Sequence, residues 1–249
     1  MENTNCPCKK KNCERHGNCD DCRKHHDDSK KQRPVACEMA QGKPVFKDII
    51  LILICLTVIQ SFFLGTKRIV FIYITETFYS RSIVTLISMI VVFAVTILYS
   101  RRKKYSLSVF PQTFSLPYIV ITLIAAGFYV FTLFFVKTFT LQNALILLYG
   151  SIVTPILEEL LFRGVIWNKL NKCFDKEWKT FLTVTVLFAL WHIGYAIGIY
   201  LWNGGNLLNV IMMKVITGAI FGAMLGSLRY KTKNCYSGIL VHGILNVLG

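Results

Sequence analysis

The sequence predicts an all-α fold: a polytopic transmembrane bundle of about seven helices, preceded by a short cysteine-rich segment. Three observations carry this. Apolar residues make up 54% of the 249-residue chain, and the mean hydropathy is +0.51. From Ile49 onward they fall in runs of about 20, the length a helix needs to cross a hydrocarbon layer about 30 Å thick. Between the runs, Lys and Arg cluster in alternate loops, as expected where one side of a membrane retains positive charge.

Taken in order, spans are expected near 48–65, 82–100, 115–136, 142–166, 180–200, 206–228 and 235–249. Residues 1–42 are polar and lack a short apolar stretch with a small-residue cleavage site, so the first span reads as a permanent anchor. Arg101 to Lys104 follow the second span, Lys169, Lys172, Lys176 and Lys179 the fourth, and Arg229, Lys231 and Lys233 the sixth. These clusters place the amino terminus in the cytoplasm and the carboxyl terminus outside, in a multi-pass protein of the cell membrane. Residues 69–79, hemmed in by Arg68 and Glu76, read as an interfacial segment, and the short last span as a tilted or partial helix. The chain thus divides into residues 1–42, amino-terminal helices over 48–136 and a carboxyl-terminal core over 142–249.

The formal charge of +15 does not indicate nucleic acid. Only +3 of it lies in residues 1–48, and the remaining +12 comes from residues that flank apolar spans. It reports topology, with attraction to lipid headgroups as a by-product.

The carboxylates Glu158 and Glu159 lie inside the fourth span, and Arg163 follows at the spacing that returns to Glu159's face of a helix. A charge near a bilayer's interior costs about 2.5–3.5 kcal/mol on insertion scales, so an adjacent pair needs a partner or a task. Pro155, just before them, predicts a kink, either beside a polar cavity or as plain bundle geometry. His192 in the fifth span, and His242 with Asn246 in the seventh, are the other polar residues singled out; His242 and Asn246, four apart, share one helix face. A rise of about 1.5 Å per residue puts Glu158 and His242 about 10–12 Å, and His192 and Asn246 about 16–18 Å, inside the cytoplasmic boundary. All four can meet there, in a site expected to open toward the cytoplasm.

Singly, Glu159 with Arg163 reads as a structural ion pair, His192 as a satisfied bundle histidine, Asn246 as interhelical glue and Phe188 as packing. Lys214 reads as snorkelling to the outer interface. Jointly, two carboxylates, two histidines and an amide are a sufficient set for activating water: a carboxylate takes its proton while other groups hold the oxygen and the developing oxyanion.

The strings Glu158-Glu159-Leu160-Leu161-Phe162-Arg163, Phe188-Ala189-Leu190-Trp191-His192 and His242-Gly243-Ile244-Leu245-Asn246 resemble, in order, spacing and placement, the three motifs of the CPBP family, the Abi or type II CAAX prenyl protease group. The resemblance covers about residues 142–249. It implies an intramembrane endopeptidase acting on a membrane-associated or lipidated protein or peptide. In that reading Glu158 activates water, Glu159 pairs with Arg163, His192 positions the water or a metal, and His242 with Asn246 stabilises the oxyanion. No H-E-x-x-H string occurs, so the sequence leaves a metal at the membrane site open. The alternative is a non-catalytic membrane binding protein that confers bacteriocin immunity or acts as a scaffold. A transporter would need paired broken helices or a repeat, and neither is present.

Before the membrane, Cys6, Cys8, Cys13, Cys19, Cys22 and Cys37 alternate with His16, His25 and His26. On the cytoplasmic side disulfides are disfavoured, and a CxxC with a CxC suits a tetrahedral soft metal, with zinc the first candidate and His16 a further ligand. The segment has almost no apolar residues with which to fold otherwise. Cys55, Cys173 and Cys235 read as ordinary small residues.

Overall fold

A computed structural model describes residues 6, 8–28, 35, 45–136 and 139–248. Among them there is no strand. A short helix, α1 (Cys19–Asp28), precedes six helices long and apolar enough to cross a membrane: α2 (Val45–Tyr73), α3 (Phe78–Arg102), α4 (Leu116–Phe135), α5 (Leu141–Asn171), α6 (Glu177–Asn203) and α7 (Leu207–Thr232). The last helix, α8 (Tyr236–Leu248), has 13 residues and spans about 20 Å, short of a full crossing. The outward faces are apolar rather than polar, with Ile54, Val58, Ile90, Leu123, Ile216 and Ile220 exposed. Such surfaces belong in lipid, and the chain is a multi-pass membrane protein.

One boundary differs from expectation. Residues 69–79 are not a separate interfacial segment: Ile69–Tyr73 prolong α2, and Phe78 opens α3. Lys67 and Arg68 are good helix formers whose long side chains line a cavity, so they do not end the helix. The break comes at Thr77, whose hydroxyl accepts from the Ser80 amide while Ser80 accepts from the Thr77 amide, a capping box. Thr140 and Asn206 cap α5 and α7, their side-chain oxygens accepting from the amides of Asn143 and Asn209. The α6–α7 turn uses Gly204 and Gly205 at φ of 70° and 97°, the left-handed region open to glycine.

α5 lies at the centre. Its Leu157, Phe162, Ile166, Trp167 and Leu170 form one hydrophobic cluster with Ile52, Leu56 and Phe63 of α2, Met89 and Val92 of α3, and Leu187, Phe188 and Trp191 of α6. The amino-terminal helices and the carboxyl-terminal half therefore share a core. On α7, Gly218, Gly222 and Gly226 recur every four residues and face α6. A Cβ at Gly222 would lie 3.3 Å from the Thr185 carbonyl oxygen, and one at Gly226 would lie 2.9 Å from the Phe181 ring. This stripe lets two helices that bury few large side chains between them approach closely, the usual solution where lipid removes the hydrophobic drive for association.

The backbone of α5 is irregular around Pro155, and the irregularity is accounted for. Over Leu147–Val153 the helix is π-type, and the Thr154 amide donates to the Tyr149 carbonyl, five residues back. The next bond in that register would join Gly150 to Pro155, which has no N–H. Asn246 on α8 supplies the missing donor, its Nδ2 2.9 Å from the Gly150 oxygen, and the Tyr129 hydroxyl of α4 donates to the Ser151 carbonyl at 3.2 Å. Replacing Gly222 with Leu should force α7 off α6; overpacking of this kind costs about 1–3 kcal/mol, and thermal unfolding in detergent micelles should show a Tm at least ~3 °C lower, whereas Gly127→Leu, at an open position, should leave it unchanged.

Candidate active site

α5 supplies three charges to the bundle interior. Glu158, Glu159 and Arg163 are 2%, 0% and 0% exposed. Arg163 lies one turn beyond Glu159, and its Nη1 donates to Glu159 Oε1 at 3.0 Å. Its Nη2 donates to the Gly222 carbonyl at 3.3 Å, and the guanidinium sits 4.1 Å over the Phe188 ring. The same Glu159 oxygen accepts from His242 Nδ1 at 3.1 Å. A carboxylate only accepts, so that nitrogen carries the proton, and Glu159 fixes the imidazole's tautomer and direction. His242 Nε2 is thereby aimed at Glu158 Oε2, 3.7 Å away.

Glu158 is held from its other side. Oε1 accepts from the Trp191 indole N–H at 2.9 Å and the Tyr195 hydroxyl at 2.6 Å. Two donors on one oxygen lock the carboxylate and leave Oε2 as the basic atom facing His242. His192 Nδ1 donates to the Phe188 carbonyl at 2.8 Å, so in its neutral form Nε2 is an acceptor. The His192 ring lies 4.8 Å from the Phe188 ring and 5.6 Å from that of Tyr195.

Of the residues singled out in the sequence, Glu158, Glu159, Arg163 and His242 are in one hydrogen-bonded and electrostatic chain, and His192 adjoins it through Phe188 and Tyr195. Asn246 is one turn along α8, with its amide on Gly150. Trp191 and Tyr195 were not singled out. Tyr195 follows Trp191 by four residues, which puts two N–H or O–H donors on one face of α6, a spacing that packing aromatics share.

The site does not open toward the basic loops, contrary to the depth argument. On that side Trp167, Asn168, Leu170 and Arg229 are buried, with Arg229 donating to the Arg163 carbonyl at 3.0 Å and to Asn168 at 3.2 Å. Tyr195 instead lines a cavity of about 1170 Å³ that runs between α2, α3 and α6 toward Arg81 and Trp202, at the opposite end of the bundle. Counting residues gives a depth but not the side on which helices diverge.

No three His, Cys, Asp or Glu side chains are gathered for a metal among the described residues, at the membrane site or in the amino-terminal segment. In the latter, burial and then the neighbouring thiols of Cys8, Cys13, Cys6 and Cys19 push the Cys22 thiol up, so these groups lie within electrostatic reach. The Nδ1 atom of His16 is buried without a hydrogen-bond partner among the described residues. Cys37 lies outside the described residues. Near the membrane site, burial raises the Cys235 thiol to about 12, in keeping with an inert packing residue.

With this geometry in hand, comparison with known proteins is informative. Residues 140–248 match the family model described as type II CAAX prenyl endopeptidase Rce1-like. Over this span the chain resembles that family. All four side chains of the buried chain fall within the Rce1-like span, as do His192, Trp191 and Tyr195. No curated protein and no solved structure matches the chain. The family so described is one of endopeptidases.

The energetics of the pair can be read by substitution. Arg163→Met leaves Glu159 buried without its cation, a change expected to cost about 3–5 kcal/mol, whereas Glu159→Gln with Arg163→Met should recover most of that loss in equilibrium unfolding.

Proposed function

We propose that the chain is an intramembrane endopeptidase in which Glu158 activates water to hydrolyse a peptide bond of a membrane-associated or lipidated substrate. One observation carries the reading: a carboxylate fixed through one oxygen by Trp191 and Tyr195 has its other oxygen directed at His242 and sits behind a large cavity. Glu158 Oε2 takes a proton from water as the water oxygen bonds to the substrate carbonyl carbon. The carbonyl π electrons move to oxygen, giving a tetrahedral oxyanion that His242, carrying hydrogen at Nε2 as well as at Nδ1, stabilises through Nε2–H, supported by the Glu159–Arg163 pair behind it. The protonated Glu158 then delivers the proton to the leaving nitrogen, the C–N bond breaks, and the products depart as a carboxylate and an ammonium once the acid's proton has passed to the amine. His192 helps to position the water. Asn246 serves this site by bracing the irregular backbone of α5 through Gly150 and, one turn from His242, can lend its second amide hydrogen to the oxyanion. No step requires a metal from the donors gathered here. The amino terminus is assigned to the cytoplasm on the loop charges.

Host cells expressing the wild-type chain or Glu158→Gln at equal membrane levels should differ in their peptides and new protein termini. Defined cleavage products should vanish with the near-isosteric substitution; identical profiles would contradict the proposal. Tyr195→Phe, which removes one of the two donors to Glu158, should lower turnover of any product so identified by about tenfold or more with Tm unchanged.

The amino-terminal segment is assigned a separate role, zinc binding by Cys6, Cys8, Cys13, His16, Cys19, Cys22 and Cys37 or a tetrahedral subset of them. Its support is the mutual reach of the thiols around Cys22 and the orphaned His16 nitrogen. The purified full chain should carry about one zinc, lost in Cys19→Ser/Cys22→Ser but kept in Glu158→Gln.

A further inference from the structure

The cavity beyond Tyr195 has a chemistry that peptide hydrolysis alone leaves unused. Its walls are apolar, from Phe63, Leu64, Met89 and Ile199, but its mouth carries Lys67, Arg68 and Arg81 against a single carboxylate, Glu76. Arg81 is already engaged, 3.8 Å from Glu76 and stacked 3.6 Å over the Trp202 ring. Lys67 and Arg68 have no carboxylate within ion-pair distance among the described residues. Three cations facing one carboxylate leave a net positive charge at the mouth, which attracts a further anion.

The inner end of the same cavity is Tyr195, bonded to Glu158. Trp202 at its mouth lies seven residues further along α6, about 10 Å along the axis. An extended chain whose peptide bond reached Glu158 would place a side chain a few residues away between Lys67 and Arg68. We infer that the mouth is a carboxylate-binding subsite, which selects peptide substrates carrying an acidic side chain a few residues from the bond that is cut. Resting on the peptidase reading, it names Lys67 and Arg68 as specificity-determining residues, with Arg81 held in place by Glu76 and Trp202. Continuity with Glu158 favours a substrate over a resident lipid, whose headgroup would offer the same negative charge.

The test is a binding measurement that does not depend on turnover. Full-length chain carrying Glu158→Gln, in phosphatidylcholine nanodiscs, is titrated with a fluorescent, end-blocked peptide of alanine and leucine containing one aspartate, and with its asparagine twin. The aspartate peptide should bind about tenfold more tightly, and the advantage should disappear in Lys67→Gln/Arg68→Gln, which should still bind the asparagine peptide as before. Equal affinities for the twins, or a preference indifferent to the double substitution, would overturn the inference. So would loss of peptide binding in nanodiscs containing phosphatidylglycerol, with that lipid retained only when Lys67 and Arg68 are present, since the occupant would then be a lipid headgroup. Unchanged protein termini in Glu158→Gln cells would instead remove the peptidase reading while the anion preference could still be measured.

Discussion

A buried ion pair, Glu159 with Arg163, sets conditions that much of the carboxyl-terminal half is built to meet. Both side chains are fully withdrawn from the surface, where unpaired charge is several kcal/mol more costly than in water. Their mutual attraction offsets that more fully as their other donors and lone pairs are satisfied, although Glu159 Oε2 and Arg163 Nε find no hydrogen-bond partner among the described residues. Arg163 therefore needs the Gly222 carbonyl, which needs α7 close enough for its glycine stripe to meet α6. Glu159 takes a second donor from His242, which fixes the rotation of α8. Phe188 closes the guanidinium's face from α6. Three helices are thus positioned by one pair, and the same contacts aim His242 at Glu158. The pair's value lies in specifying geometry, since breaking it costs more than forming it gains.

A second constraint runs through the backbone of α5. Pro155 removes a donor from a stretch already in π register, and the unsatisfied carbonyls are met by side chains from α4 and α8. The irregular stretch thus ties the amino-terminal side of α5 to Asn246, while the charges beyond Pro155 tie it to His242. The two anchors are one turn apart on α8, which is why a helix too short to cross the membrane can still be held in a fixed place.

Much of this was legible in the chain, for reasons that are local. Charges inside an apolar run stand out, and four-residue spacings state which of them share a face; Glu159 with Arg163, and His242 with Asn246, could be read that way. Trp191 and Tyr195 could not be told from packing residues, because an aromatic donor in an apolar helix looks the same whether or not a carboxylate waits opposite. The partner of Asn246 depends on a hydrogen-bond register that no side-chain pattern records. The extension of α2 through Arg68 to Tyr73 was missed because two cations look like the edge of a membrane when they in fact face a cavity. For the same reason the direction in which the site opens was misjudged.

The protonation of His242 tests the central arrangement most directly. In full-length protein with labelled histidine, reconstituted in bilayers, solid-state NMR reports which ring nitrogen bears hydrogen. The wild type should show Nδ1–H coupled to a carboxylate, with that signature altered by Glu159→Gln and retained in Glu158→Gln. A wild-type His242 protonated only at Nε2, or a spectrum indifferent to Glu159, would mean that the ion pair does not orient the imidazole, and the assembly of the site would need another cause.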